Sequence, residues 1–387
     1  MKEETRTIHP DTKSPPHDNP PLVYPIYQSV KFSLPSVGEI EKVYRGSREG
    51  FTYSRVANPT VSELASELAA LQGTECGLCF GSGIAAIQFM FQALLSQGDH
   101  VVGLLQSYRP TRSVLRHAFS KFGVKSTFLC AGDYGALEKL LRDSPAKLIF
   151  FESPTNPVLD VVDIERIAAL GKAHGATVVL DNTMAGFHQH RKVPVDLYLH
   201  SLTKYATGMG DVSGGAILGS QALIDRLVPY YVNFGAALEP LVASLMLRGL
   251  KSYFLRYRAQ ASAALELAQW LEGRPGVAGV RYPGLPSHPQ HALAKRQMQE
   301  FGTMVCAHLA YEEREMKSFL DRLHIFKVTG SFGSVDSLAA PAKMFYGGDL
   351  TPAEFAQSGI TPGTVRFSVG LEALDDLKAD IEQAMVV

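Results

Sequence analysis

Between about residues 60 and 250, helical stretches alternate with short apolar runs. VSELASELAALQG has helical spacing and ends at Gly73, a C-cap residue type; CGLCF follows, and an apolar helix opens near GSGIAAIQFMFQALLSQG. Further on, VVGLL, STFLC, KLIFFES, TVVLDN, LYLHSL and GGAILG are apolar runs, and TRSVLRHAFSKFG, GALEKLLRDS and DIERIAALGKAHG are the amphipathic stretches among them. Continuous apolar runs separated by helices predict strands covered on both faces, hence an α/β fold with a largely parallel sheet.

From LVASLMLRGLKSYFLRYRAQASAALELAQWL, which reads as one long helix, the rhythm changes. Wider-spaced strands (TMVCAHL, HIFKVT, TVRFSVG) and the helices EREMKSFLDRL and LDDLKADIEQAM predict a smaller α+β domain. The first sixty residues, with PPLVYPIYQSVKFSLP, carry proline and aromatics but little periodicity, as in a segment laid against another surface. The expected division is an arm over 1–60, a large domain over 61–250 and a small domain over 251–387.

The 387 residues are 46% hydrophobic and 19% charged, with a formal net charge of -1. No Lys/Arg run tracks a phosphate backbone, which argues against nucleic acid and a charged membrane surface and favours a small-molecule partner. The polar, proline-rich N-terminus lacks the apolar core of a signal peptide, and no stretch approaches the ~18 apolar residues of a membrane span, so a cytoplasmic location is expected. Four cysteines make no disulfide scaffold. Cys76 and Cys79 fall on a strand, where residues three apart point to opposite faces, and read as packed small hydrophobes. No second C-x-x-C completes a zinc site and His188-Gln189-His190 has no matching cluster, so no metal is expected.

In a parallel sheet ligands bind beyond the carboxyl ends of strands, which gives priority to polar residues that follow apolar runs. Gly81-Ser82-Gly83-Ile84 opens a helix, whose N-terminal amides suit a phosphate unless the glycines are only steric. Asp181 ends a buried run; it is either a helix N-cap or the partner of a cation. Asn156, in PTNP, is a turn residue or a hydrogen-bond donor to a ligand. Lys204 follows LYLHSLT, where poor solvation depresses an amine's pKa and frees it as a nucleophile; Ser201 and Thr203, alternating with Leu202, share one face in extended geometry. A buried acid, a phosphate cradle and an activated lysine are what pyridoxal 5'-phosphate (PLP) requires.

YSRVANPT, GSGIAAI, ESPTNP, LDNT, HSLTKY, LRGLKS and VRFSVGLE, in this order, resemble the Cys/Met-metabolism family of PLP enzymes, which includes cystathionine γ-synthase, cystathionine γ-lyase, methionine γ-lyase and O-acylhomoserine sulfhydrylase. The resemblance implies the aspartate-aminotransferase-like fold. It makes Lys204 the Schiff-base amine and proton carrier and pairs Asp181 with the pyridine nitrogen. Gly83, Ile84, Ser201 and Thr203 would hold the phosphate, joined by Tyr53 and Arg55 from a neighbouring subunit of a homo-oligomer, a dimer of dimers. Tyr108 would stack on the ring and assist proton transfer. Arg366 would take the substrate carboxylate with Asn156 and the backbone near Ser331.

The implied reaction is γ-elimination or γ-replacement on a homoserine-derived or sulfur amino acid. A replacement using a non-sulfur nucleophile and a non-catalytic cofactor-binding protein are the other readings. Five positions depart from the family pattern: Arg109-Pro110 stands after the stacking tyrosine, Met209 replaces a His, Asp336 a Glu, and Tyr346 a His. Arg109 and Asp336 are therefore expected near the substrate's side chain.

Overall fold

The computed structural model describes residues 2–8 and 21–385. Seven strands form the larger sheet: β1 (Cys76–Phe80), β2 (His100–Leu104), β3 (Lys125–Leu129), β4 (Leu148–Glu152), β5 (Thr177–Asp181), β6 (Leu197–Ser201) and β7 (Gly215–Gly219). Their order is β1-β7-β6-β5-β4-β2-β3; β7 runs antiparallel to β1 and β6, and the other pairings are parallel. Every residue of β2, β4 and β7 is buried, which is why these strands read as unbroken apolar runs. Alternate residues feed two cores, Ile149 and Phe151 on one face, Leu148 and Phe150 on the other. Cys79 belongs to the first core and Cys76 packs on the second, as expected of residues three apart on a strand.

Helix Pro59–Gln72 ends at Gly73, whose φ of 83° lies in the left-handed region that favours glycine. Helix Gly83–Leu94 covers the opposite face of the sheet.

A second sheet contains β8 (Val277–Arg281), β9 (Met304–Leu309), β10 (Lys327–Val328), β11 (Leu338–Pro341) and β12 (Thr364–Ser368), in the order β10-β11-β12-β9-β8. Helices Tyr253–Glu272, Glu313–Asp321 and Leu374–Met385 share one apolar core with it. Central strand β12 carries Arg366 between Ala340 of β11 and Cys306 of β9.

Two expectations need correction. The long helix is two helices, Pro240–Leu250 and Tyr253–Glu272. Gly249 lies so close to the Ala206–Thr207 backbone that a Cβ would fall 2.3 Å from the Ala206 carbonyl oxygen, and the buried Arg256 donates to the Gly249 carbonyl at 2.9 Å. Those carbonyls turn the chain at Lys251-Ser252 instead of continuing the helix. The strand expected over HIFKVT shrinks to Lys327–Val328, because the Asp380 carboxylate takes the N–H groups of His324, Ile325 and Phe326 at 2.8, 2.8 and 3.0 Å. Helix Gln221–Phe234, with Pro229 inside it, was not foreseen from the pattern.

Within the arm, residues 1 and 9–20 lie outside the described residues. The described part pairs Lys31 with Tyr53, donates the Tyr27 N–H to Thr60 Oγ1 at 2.9 Å, and leaves Leu22, Val23, Ile26 and Val30 exposed. No helix among the described residues is long and apolar enough to cross a membrane.

Candidate active site

The carboxyl ends of β4, β5 and β6 face the loops around β12 across a cavity of about 310 Å³, at the lower end of the ~300–1,000 Å³ usual for small-molecule sites. One end is an anion cradle. Ser82 Oγ accepts the Ala85 N–H at 3.1 Å, so the first-turn amides of Gly83 and Ile84 have no intrahelical acceptor and border the cavity. A Cβ on Gly83 would sit 2.8 Å from Ser201 Cβ, and one on Gly215 2.3 Å from the Ser82 carbonyl oxygen. Only glycines let this turn lie on β6 and β7.

Ser201 is the last residue of β6, and Leu202 to Lys204 form a turn, so the extended alternation expected for Ser201 and Thr203 is not how they meet. Both still border the cavity while Leu202 is buried. Thr203 Oγ1 is held by the Gly214 N–H at 3.1 Å, and Ser201 by donating its own N–H to Thr183 Oγ1 at 2.8 Å.

Asp181 is no helix cap. Its Oδ1 accepts both the N–H and the hydroxyl of Thr183, at 3.1 and 2.5 Å. Burial pushes its carboxyl up to about 6 against those bonds. The neighbouring Asn182 is structural, tied to Gln72, Gly186 and Gln189.

Lys204 Nζ donates to Ser331 Oγ at 2.9 Å and lies 5.1 Å from the centre of the Phe332 ring. Burial, reinforced by the positive charge of Arg366, lowers its pKa to about 8, while Asp181 opposes the shift. Arg366 is 2% exposed and committed on two sides: Nη1 donates to Asn156 Oδ1 at 2.8 Å and Nη2 to the Ser331 carbonyl at 2.6 Å. Its Nε is buried without a partner, and the guanidinium lies 4.9 Å from the centre of the Tyr346 ring. Asn156 is thus both a turn residue, before a cis proline, and an anchor of this arginine. Ser331, which serves Lys204 and Arg366 together, has φ 76°, a conformation that costs a non-glycine residue about 1–3 kcal/mol and clusters at functional sites.

Tyr108 borders the same cavity and donates its N–H to Glu152 Oε1 at 2.6 Å; burial raises its phenol pKa. The structure therefore gathers Lys204, Tyr108, Asp181, Gly83, Ile84, Ser201, Thr203, Asn156, Arg366 and Ser331 around one space.

Five expected or flagged residues are elsewhere. Tyr53 is 41% exposed with the Arg55 guanidinium 5.6 Å from its ring centre, and Arg55 donates to the Val232 carbonyl. Arg109, expected at the substrate, does not border the cavity: its guanidinium stands against Gly348 and 3.9 Å from Asp349, which draws the cation away. Asp336 is exposed and outside the cavity lining, its carbonyl accepting from Ser334 Oγ at 3.2 Å. Met209 is exposed. Conversely, Glu152, Phe332 and Phe345 form wall that sequence reasoning did not single out, and Tyr346, noted only as a departure, is part of it. Glu152 ends an apolar run as Asp181 does, so the same positional signal was there to be read.

The donor set fits PLP: open helix amides and two hydroxyls for a phosphate, a buried acid for a ring nitrogen, and a lysine amine that is about half neutral near pH 8. The comparisons agree. Residues 4–386 match the family described as Cys/Met metabolism PLP-dependent enzyme. The chain is similar to L-methionine gamma-lyase of Pseudomonas putida, 39% identical over 98% of this chain and 96% of the relative. It is also similar to cystathionine gamma-synthase 1, chloroplastic, of Nicotiana tabacum, 38% identical over 94% and 68%. A solved Campylobacter jejuni structure that carries N'-pyridoxyl-lysine-5'-monophosphate superposes with a TM-score of 0.93 at 28% identity, covering 100% of both chains. The chain belongs to the Cys/Met-metabolism family of PLP-dependent enzymes.

Proposed function

We propose that this enzyme carries out γ-elimination or γ-replacement on a homoserine-derived or sulfur amino acid, with Lys204 as its proton carrier. The observation that supports it is the convergence of Lys204, Asp181 and Arg366 on one cavity, with a carboxylate receptor at one end and an anion cradle at the other. When bound, the cofactor supplies an aldehyde for the substrate amine and a ring that withdraws electrons from Cα.

The chain's residues do the rest. The amides of Gly83 and Ile84 and the hydroxyls of Ser201 and Thr203 hold the phosphate. Asp181 stays ionised against the ring nitrogen, because a cation there offsets the burial that otherwise favours its neutral form. Arg366, preset by Asn156 and Ser331, binds the substrate α-carboxylate through charge-assisted hydrogen bonds. With its pKa near 8, Lys204 has a neutral amine available to take the Cα proton and return one further along the side chain. Tyr108, anchored through its backbone, covers the ring and assists the proton transfers.

A second copy of the chain supplies Tyr53 and Arg55 to the phosphate end. Their position away from their own chain's cavity and the exposed apolar residues of the arm support that reading.

The test is to incubate the purified enzyme with methionine, cystathionine and O-acylhomoserines, each with and without a thiol. A 2-oxo acid formed without thiol identifies elimination, and product formed only with thiol identifies replacement. Turnover of none of them overturns the proposal.

A further inference from the structure

Glu152 borders the cavity but has no task in the reaction just described. It ends β4 as Asp181 ends β5, and the two are register partners on adjacent parallel strands. The side chain is 2% exposed. Oε1 accepts the Tyr108 N–H at 2.6 Å, whereas Oε2 is buried with no hydrogen-bond partner.

Among the described residues no cation is hydrogen-bonded to this carboxyl. Arg112, the cation that acts on it, gives its donors to Asp349 and to the carbonyls of Leu105, Ser107 and Tyr346. Arg366 gives its own to Asn156 and Ser331. A second ionised carboxylate beside Asp181 would be a buried charge without compensation, which proteins avoid by protonation. Burial first, and the Asp181 charge second, push the Glu152 carboxyl well above the usual carboxylate range, against the pull of the Tyr108 and Asn156 backbone amides.

We propose that Glu152 is a neutral acid in the working enzyme and a positioning residue: its Oε1 fixes the Tyr108 backbone and its Oε2–H donates a hydrogen bond into the cavity. Its neutrality leaves Asp181 as the single negative charge at the strand ends, available to the ring nitrogen. The inference rests on the cofactor reading of the cavity.

The experiment compares the cofactor-loaded enzyme with its Glu152→Gln and Glu152→Ala variants. Infrared difference spectra in H₂O and D₂O at neutral pH should show a protonated-carboxyl C=O band that shifts on deuteration and is lost in Glu152→Gln. Glutamine keeps an acceptor and a donor, so Glu152→Gln should recover most of the KM increase of about tenfold expected for Glu152→Ala, a factor equal to about 1.4 kcal/mol. A band that persists in Glu152→Gln, or a Glu152→Gln variant as impaired as Glu152→Ala, overturns the inference. Should Glu152→Ala fail to fold, the band alone decides. Failure of the unsubstituted protein to take up PLP would sink the cofactor reading instead, and equilibrium cofactor titration reports that separately.

Discussion

Asp349 stands among three arginines. Arg112 reaches its two carboxylate oxygens through Nη2 at 2.6 Å and Nε at 3.0 Å, Arg116 approaches to 3.8 Å and Arg109 to 3.9 Å. Arg112 is 1% exposed and also donates to the Tyr346 carbonyl at 2.7 Å. The pair therefore ties the helix that follows Tyr108, Arg109–Ser113, to helix Ala342–Tyr346, which walls the cavity. Removing one partner of a buried pair costs about 3–5 kcal/mol. Asp349→Asn keeps one acceptor and Arg112 keeps its carbonyls, so the lower end, about 3 kcal/mol, is expected. Arg116 and Glu354, both partly exposed, supply an internal control, since exposed pairs contribute about 0.2–1 kcal/mol. The assay is a double-mutant cycle on unfolding free energy at fixed cofactor excess, with Arg112→Met and Asp349→Leu. Coupling of about 1.5–3 kcal/mol is expected for this pair and under about 1 kcal/mol for Arg116–Glu354. Additivity of the Arg112 and Asp349 changes within about 0.5 kcal/mol would refute the claim that the pair fastens the two elements.

Three shorter predictions concern the cavity. With the Lys204 pKa lowered from 10.5 to about 8, the unfolded chain binds more protons than the folded one between those values, so this group's contribution to stability rises with pH across that window. Cofactor capture by cofactor-free protein should accordingly reach half its maximal rate near pH 8, and a midpoint at the ordinary lysine value would contradict the burial argument. Asp181→Asn removes a charged partner worth about 1.5–3 kcal/mol, which should weaken PLP binding about ten- to a hundredfold in an equilibrium titration; unchanged affinity dismisses the pairing. Ser331→Gly relieves the positive φ, stabilising the fold by about 1 kcal/mol after the extra unfolded-state entropy of glycine, whereas Ser331→Ala does not. A Ser331→Gly variant less stable than Ser331→Ala would show that residue 331 is not strained.

The elements legible in sequence were those whose surroundings are uniform. Strands β2 and β4 have both faces covered, so the HVVGL and LIFFE runs leave no ambiguity, and the Gly73 cap is local chemistry. What failed depended on distant groups. The break at Lys251-Ser252 is set by Arg256 and by the close passage of Ala206 and Thr207, and the shortening of β10 by a carboxylate from the last helix. Helix Gln221–Phe234 was obscured by its internal proline, which ordinarily argues against a helix.

The same division runs through the site and explains why chemistry was easier to read than specificity. The proposed cofactor end is built from strand-end residues, Asp181 and Ser201, and a helix start, Gly83 and Ile84, whose place along the chain is what suggests their roles. The opposite end is built where the two sheets meet. Tyr346 is placed by Arg112, Ser331 is bonded to Lys204 and Arg366, and Arg366 is placed by Asn156, each contact spanning tens to hundreds of residues. Arg109 shows the consequence. Its position beside Tyr108 suggested contact with substrate, yet Asp349, 240 positions further along, turns its guanidinium aside. That contact, 3.9 Å long on a side chain 41% exposed, is worth under about 1 kcal/mol, so Asp349 biases Arg109 away from the substrate's side chain while its shorter bonds to Arg112 hold the wall around Tyr346.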